Sequence, residues 1–531
     1  MIHKFSKRLA CLAASTQIPR ALAKSALALA ITASLLPLSA QAPVDLRIAL
    51  VIGNAAYAGA AALANPANDA KAMGEALRGL GFAVVEIRDG SRVQMAEAIG
   101  KVQASLKGKQ GIGMLYYAGH DLQLDWRNFM VPIDAKLAKA ADVPEQTIDL
   151  GSVIDAFKAA GNRMNIVVLD ACRDNPFETG GNKVATGKGL APLDAPTGTF
   201  LAYATAPGNV AEDGAAQSAD GKTGNGLYTQ FLLQELKKPS AKIEDVFKRV
   251  RLNVRQKSEG RQIPWESTSL EDDFYFNAGL KPTQKESDSD KEKAFALEKA
   301  DWDKIKDSKT ANDFYAFLQK YPSGLISEQA QFAMDRLQKV AVSSQVSKNG
   351  VETLPSGANR YKLGDSFTYE VRDGFTKEIR TKQTNVVTFA DDTRVVLNNG
   401  ESEVDQMGGV IKNRFGTKSP AILTAPADLS LGKKWRTAFT NTEPNGYTTS
   451  NYWEFKAVAF EEIDTPLGKI KAFKIEGEGK ATGRAGITQL TTTRWIDPRT
   501  MLSVRNDLLF RTNGKISEHS SSTITAMSRV R

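Results

Sequence analysis

Gly113-Met-Leu-Tyr-Tyr-Ala-Gly-His120 and, further along, Asn165-Ile-Val-Val-Leu-Asp-Ala-Cys172 are two short, mostly apolar runs, each ending on a residue able to do chemistry. A run this apolar, without alternation of polar and apolar positions, reads as a strand covered on both faces, which is the habit of parallel sheets. Working outward, Arg47-Ile-Ala-Leu-Val-Ile-Gly53 and Phe82-Ala-Val-Val-Glu-Ile87 read as further strands, each followed by a helical pattern, Asn68 to Leu80 and Val93 to Leu106. Thr199 to Ala204 reads as one more strand, and Leu227 to Lys237 and Ile243 to Lys257 as helices. Strands alternating with helices from Arg47 to about Asn277 predict an α/β sandwich, a mostly parallel sheet with helices on both faces.

Open α/β sheets place their ligands at the carboxyl ends of the strands. His120 and Cys172 both follow strands, so neighbouring strands would bring them to one edge. Their scarcity sharpens the assignment. The chain holds three histidines, His3, His120 and His519, and two cysteines, Cys11 and Cys172. A nucleophilic thiol needs a base within reach or a lowered pKa, and His120 is the one imidazole of the α/β region that can supply it.

Residues 1–42 carry Lys4, Lys7, Arg8, Arg20 and Lys24, no acidic residue, and the apolar run Ser25 to Leu38, ending at Ala40-Gln41-Ala42. This is the layout of an export signal, so the expected location is periplasmic or secreted, with an uncleaved membrane anchor as the alternative. Removing it lowers the formal net charge from +9 to +4, with 64 Lys and Arg facing 60 Asp and Glu. With no arginine-rich stripe, nothing favours nucleic acid as a partner. Cys172 is then the sole thiol, which excludes an internal disulfide.

Beyond the α/β region, taken as residues 45–278, residues 279–293 form a charged linker. Residues 294–340 show helical periodicity broken at Tyr321-Pro-Ser-Gly324, a helical hairpin. Residues 354–531 alternate apolar and polar positions between Gly, Asn and Pro turns, as in Ser366-Phe-Thr-Tyr-Glu-Val371 and Tyr452-Trp-Glu-Phe455. They predict an antiparallel β domain, a flattened or half-closed barrel. Trp435, Trp453 and Trp495 are candidates for its core or for a ligand groove.

Across Arg47 to Phe276 the sequence resembles the caspase and metacaspase clan of cysteine peptidases, in particular its bacterial members. The resemblance rests on Tyr116 to His120, on Leu169-Asp-Ala-Cys172 with its histidine about 50 residues upstream, and on Leu50 to Tyr57 with Asn65-Pro-Ala-Asn-Asp69. Asn128-Phe-Met-Val-Pro-Ile-Asp134, Tyr203 to Gly208 and Asp213-Gly214 extend it. It implies a caspase-like sandwich with Cys172 as nucleophile and His120 as base, and no cofactor. It also implies oxyanion donors from the backbone N–H groups of Cys172 and of the residue after the histidine, here Asp121 where glycine is usual. Asp121 would place charge near the oxyanion, or point away and pair with His120. By the same resemblance Asp170, Asp69 and Asp213 line a pocket for a P1 Arg or Lys, although Asp69 also suits a helix start and Asp213 a turn. Lys183 and Lys188 fall where relatives are sometimes self-cleaved.

Other motifs fall short. Gly181 to Lys188 has the wrong spacing for a phosphate loop, Gly111-Ile-Gly113 lacks the third glycine of a dinucleotide fingerprint, and no cluster has metal-ligand spacing. The sequence therefore predicts an exported cysteine endopeptidase cutting peptide or protein substrates after Arg or Lys. The alternatives are a catalytically impaired relative that binds peptides, or a scaffold whose β domain meets a cell-envelope partner.

Overall fold

A computed structural model describes residues 45–58, 62–172, 195–205, 224–279, 287–338, 354, 358–484 and 486–530. The expected export signal, Lys183, Lys188 and Asp213 lie outside the described residues. Those described belong to one compact unit, Asp45–Arg531.

The α/β region runs β1 (Arg47–Gly53), α1 (Pro66–Gly79), β2 (Ala83–Arg88), α2 (Arg92–Leu106), β3 (Ile112–Leu124), β4 (Arg127–Met130), α3 (Asp142–Gln146), β5 (Ile148–Asp149), α4 (Leu150–Ala159), β6 (Met164–Cys172), β7 (Thr199–Tyr203), α5 (Leu227–Leu236), α6 (Ile243–Lys257) and β8 (Trp265–Thr268). The main sheet has the order β2-β1-β3-β6-β7-β8. All its pairings are parallel except β7 with β8.

Apolar content at every position lets each strand feed two cores. Ala49 and Val51 of β1 join Met73 and Leu77 of α1 and the apolar faces of α5 and α6. Ile48, Leu50 and Ile52 join Met95 and Val102 of α2 and Val153 and Phe157 of α4. Successive side chains of a strand point to opposite faces, so a run without polar positions calls for cover on both sides. The helices start where local chemistry allows: Pro66 opens α1, a Ser91–Gln94 capping box opens α2, and Asp149 caps α4. The chain leaves β1 for β2 on one side and places β3 on the other, so the order reverses at β1 and β3, where such sheets open a crevice.

The helical stretch contains α7 (Asp288–Ile305), α8 (Ala311–Lys320) and α9 (Ser327–Gln338). α8 and α9 are the hairpin, parted at Tyr321–Gly324, and α7 precedes it, starting inside the expected linker because Ser287 and Asp290 form a capping box. Leu252 of α6 enters the core of these helices, and Arg255 of α6 pairs with Asp335 of α9 at 2.5 Å, both buried.

The C-terminal region is a closed antiparallel barrel of twelve strands. They are β9 (Ser366–Asp373), β10 (Ile379–Ala390), β11 (Val395–Leu397), β12 (Ser402–Val404), β13 (Val410–Asn413), β14 (Gly416–Ser419), β15 (Lys434–Thr442), β16 (Thr448–Thr465), β17 (Gly468–Gly483), β18 (Gly486–Asp497), β19 (Leu502–Thr512) and β20 (Lys515–Ser528). The flattened or half-closed form expected from sequence is closed by pairing between β20 and β9. Lys434 Nζ donates to Leu270 O at 2.6 Å, tying the foot of β15 to the α/β region.

Candidate active site

β3 and β6 lie side by side in parallel, and their register pairs Ala118 with Asp170, Gly119 with Ala171 and His120 with Cys172. The two residues singled out for chemistry are therefore opposite one another where the parallel pairing of β3 and β6 ends, β3 itself running on to Leu124 against β4. Of Cys172 the backbone is described.

His120 is 4% exposed, and two tyrosines hold it. Tyr57, in the loop after β1, sets its ring 4.6 Å from the imidazole, centroid to centroid, and its hydroxyl accepts the His120 N–H at 3.1 Å while donating to Val131 O at 2.9 Å. The Tyr117 hydroxyl donates to His120 O and accepts from the Val131 N–H. Burial pushes both phenols well above the usual tyrosine range, although the hydrogen bonds that Tyr57 makes to Tyr117 and His120 oppose its shift. Asp89 fixes the loop that carries Tyr57, its carboxylate accepting from the N–H groups of Ala55 and Ala56 at 2.8 Å each. Gly119 has φ +154°, and a Cβ there would lie 2.8 Å from both tyrosine hydroxyls, so this position requires glycine.

Asp121 follows on β3 and is 4% exposed. Alternation puts it on the opposite face from His120, and its carboxylate contributes to raising both Tyr57 and Tyr117. Its backbone faces the other way. Asp121 and Met130 are register partners, and the ladder bond beside them runs from Val131 N to His120 O, which makes them a non-hydrogen-bonded pair. The Asp121 N–H is thereby turned from β4 toward β6, the Cys172 side.

Asp69, in the first turn of α1, is 3% exposed, and its Oδ1 accepts the Gly226 N–H at 3.0 Å. Asp170 Oδ2 accepts from the Thr229 hydroxyl at 2.6 Å, and that hydroxyl also meets Tyr116 Oη at 2.5 Å. A Cβ built on Gly226 would stand 3.3 Å from Asp69 Oδ2 and 3.8 Å from Asp170 Oδ2, so two carboxylates from distant parts of the chain bracket the start of α5. Their field adds to burial in pushing the Tyr116 phenol up, and Asp170 does the same to Tyr228. Asp213 lies outside the described residues. Tyr57, Tyr117, Gly226 and Thr229 join the candidate site without having been singled out from the sequence, although Tyr57 and Tyr117 fall within the motif blocks.

Among the described residues no group of three or more His, Cys, Asp or Glu could hold a metal ion. His519 is in β20, its ring edge-on to Phe375 at 4.4 Å.

Residues 46–275 match the family model for the caspase domain. The mucosa-associated lymphoid tissue lymphoma translocation protein 1 of Homo sapiens and its Mus musculus homolog are each 31% identical over 127 residues, 24% of this chain and 15% of each relative. The match thus spans about a seventh of the length of those curated relatives. The crystal structure of the Drosophila initiator caspase Dronc aligns with TM-score 0.32 and 13% identity, covering 44% of this chain and 83% of that one.

Proposed function

Residues 46–275 are a caspase-like peptidase domain, and from that premise we propose that the chain is a cysteine endopeptidase in which Cys172 attacks the substrate carbonyl and His120 moves the proton. The observation that carries the reading is the His120–Cys172 register, the last pair of the parallel ladder between two adjacent strands. Transfer of the thiol proton to the imidazole gives a thiolate, which adds to the scissile carbonyl. The tetrahedral oxyanion takes hydrogen bonds from the backbone N–H groups of Cys172 and Asp121; the direction of the Asp121 N–H supports that role, and its carboxylate, on the far face, stays clear of the oxyanion. Collapse of the intermediate breaks the C–N bond as the imidazolium gives its proton to the leaving amine. Water, deprotonated by His120, then hydrolyses the thioester.

The substrate side is an Arg or Lys at P1. Asp69 and Asp170 on either side of the α5 start suit a guanidinium, which binds carboxylates through paired N–H donors. By resemblance Asp213 joins them. Export through residues 1–42 is part of the same proposal, read by cell fractionation.

The test is cleavage of short reporter peptides with Arg, Lys or Asp at P1 by wild type, Cys172→Ala, His120→Ala and Asp121→Gly. The proposal expects turnover after Arg or Lys that disappears in the first two variants. Turnover in Asp121→Gly alone would make the natural chain an impaired peptidase that binds peptides; no turnover in any form, with peptide binding kept, would favour the scaffold reading. In that case a pull-down against envelope proteins with and without the barrel tests an envelope partner.

A further inference from the structure

Gly226, the N-cap of α5, is a glycine that its backbone does not require. Its φ −56° and ψ 153° are open to any residue, and Asn, Asp or Ser there would cap the helix with a side chain, which Gly226 cannot. Glycine also loses more conformational freedom on folding than any other residue. What remains to explain it is the space a side chain would take. A Cβ built on Gly226 stands 3.3 Å from Asp69 Oδ2 and 3.8 Å from Asp170 Oδ2, and, chain neighbours aside, no other heavy atom of the described residues lies within 4 Å of it. A nitrogen at that point would be within ion-pair distance of both carboxylates. Gly226 is half-buried, so the point is not sealed.

The two carboxylates are held by different devices. Asp69 Oδ1 accepts the Gly226 N–H at 3.0 Å, so the glycine itself ties that carboxylate to the start of α5. Asp170 is held by hydroxyls whose proton order follows from their chemistry. The Thr229 hydroxyl donates to Asp170 Oδ2 at 2.6 Å and has no second hydrogen to give. Tyr116 Oη, 2.5 Å from Thr229 Oγ1, is therefore the donor of that bond. The protons point in one sense from Tyr116 through Thr229 to Asp170, and Tyr116 and Thr229 are both shut off from solvent. Burial, and after it the field of Asp170 and Asp69, pushes the Tyr116 phenol well above its ordinary range, so it keeps the proton it donates. An ordered chain of this kind leaves Asp170 one orientation, and a carboxylate oxygen so held can still accept a second bond.

We infer that Gly226 and Thr229 decide the P1 preference of the peptidase domain: the bare Cα of Gly226 is the seat of the P1 guanidinium between Asp69 and Asp170, and Thr229, ordered by Tyr116, is the positioning residue that aims Asp170 at it. The substrate class rests on the peptidase reading above; the residues rest on the geometry at the start of α5. A methyl group at position 226 fills the seat, so the cation can no longer lie between the two carboxylates. Loss of the Thr229 hydroxyl leaves the seat open but lets Asp170 turn from it.

The experiment measures, by calorimetry on the full chain carrying Cys172→Ala so that nothing is turned over, the affinities of an acetylated tripeptide amide ending in Arg and of its citrulline counterpart. With Gly226 and Thr229 in place, Arg should be preferred at least about tenfold, since a hydrogen bond to a charged group contributes that much. Gly226→Ala should bring the ratio to about one with the near-UV circular dichroism unchanged. Thr229→Val should lower the ratio at least about threefold and Thr229→Ser should restore it, which a purely structural role in α5 would not do. The Thr229 pair leaves position 226 untouched, so it decides the inference even if Gly226→Ala does not fold. A ratio unmoved by Gly226→Ala, or by Thr229→Val, overturns the inference and leaves the peptidase reading standing. No preference for Arg before either change, or no binding of either peptide, overturns the inference together with the pocket it rests on; turnover of reporter peptides by the chain with Cys172 then tells whether the peptidase reading survives.

Discussion

Replacing Asp170 by Asn removes one negative charge from the bracket around α5 while leaving an oxygen for the Thr229 hydroxyl, now 2.6 Å from Asp170 Oδ2. The fold is therefore expected to survive, and the loss should fall on a cationic P1 side chain. A hydrogen bond to a charged group contributes about 1.5–3 kcal/mol, which at 1.4 kcal/mol per decade is roughly 10- to 150-fold in kcat/KM. Asp170 is half-buried, so solvent screens only part of that interaction. The assay compares two reporters alike but for Arg or citrulline at P1, a shape match without the charge. In Asp170→Asn the Arg reporter should lose that factor and the citrulline reporter should change by less than about threefold, since it never used the charge. Asp69→Asn should lose less, because Asp69 also holds the Gly226 N–H, and the double variant should fall short of the product of the two since both carboxylates face one guanidinium. An unchanged Arg reporter, or equal losses on both reporters, would refute the pocket; equal losses would make Asp170 a structural support for α5.

Tyr57→Phe deletes a hydroxyl bonded to both His120 N and Val131 O, so it should cost about 1–3 kcal/mol of stability and lower kcat more than it raises KM, read by denaturant melts and kinetics. Gly119→Ala meets two hydroxyls at 2.8 Å in a backbone conformation unkind to alanine and should cost about 2–4 kcal/mol, with peptidase activity falling further than stability. Tyr116, Tyr117 and Tyr228 all have phenols raised by burial. Their contribution is fully present below the unfolded tyrosine pKa of about 10 and is lost as pH rises toward the folded values, because the unfolded chain ionises first. Denaturant midpoints should fall above about pH 10 by up to about 1.4 kcal/mol per pH unit per phenol, and less steeply in Tyr116→Phe. Arg255→Met leaves the buried Asp335 without its guanidinium and should cost about 3–5 kcal/mol, loosening α9 from α6 first by hydrogen exchange.

The sequence carried the chemistry of the sheet edge because that chemistry is local. Apolar runs ending on His120 and Cys172 need no long-range knowledge to be read as buried strands, and Asp69 and Asp170 sit within the motif blocks. Their companions were hidden for opposite reasons. Tyr117 lies in the apolar run that ends on His120, but nothing in that run shows its hydroxyl turning back to His120 O, and the Tyr57 hydroxyl meets His120 N only when β1 and β3 lie side by side. Gly226 and Thr229 are separated from their carboxylates by 157 and 59 residues, and nothing in the α5 pattern points there. Closure of the barrel depends on pairing its first strand with its last, a contact without local signature. Trp495 shows why the tryptophans could not be sorted by eye: it is buried in one apolar cluster with Ile470, Leu502 and Val504, with Arg505 over its ring, while Trp435 and Trp453 stack on Phe455 in another.

The most direct test of the central claim is the pH dependence of alkylation at Cys172 by iodoacetamide, in a Cys11→Ser chain with no other thiol. An imidazole partner should move the inflection clearly below the free-thiol value of about 8.5, and His120→Ala should return it there. An inflection already near 8.5 in the natural sequence, unmoved by His120→Ala, would contradict the pairing on which the peptidase reading stands.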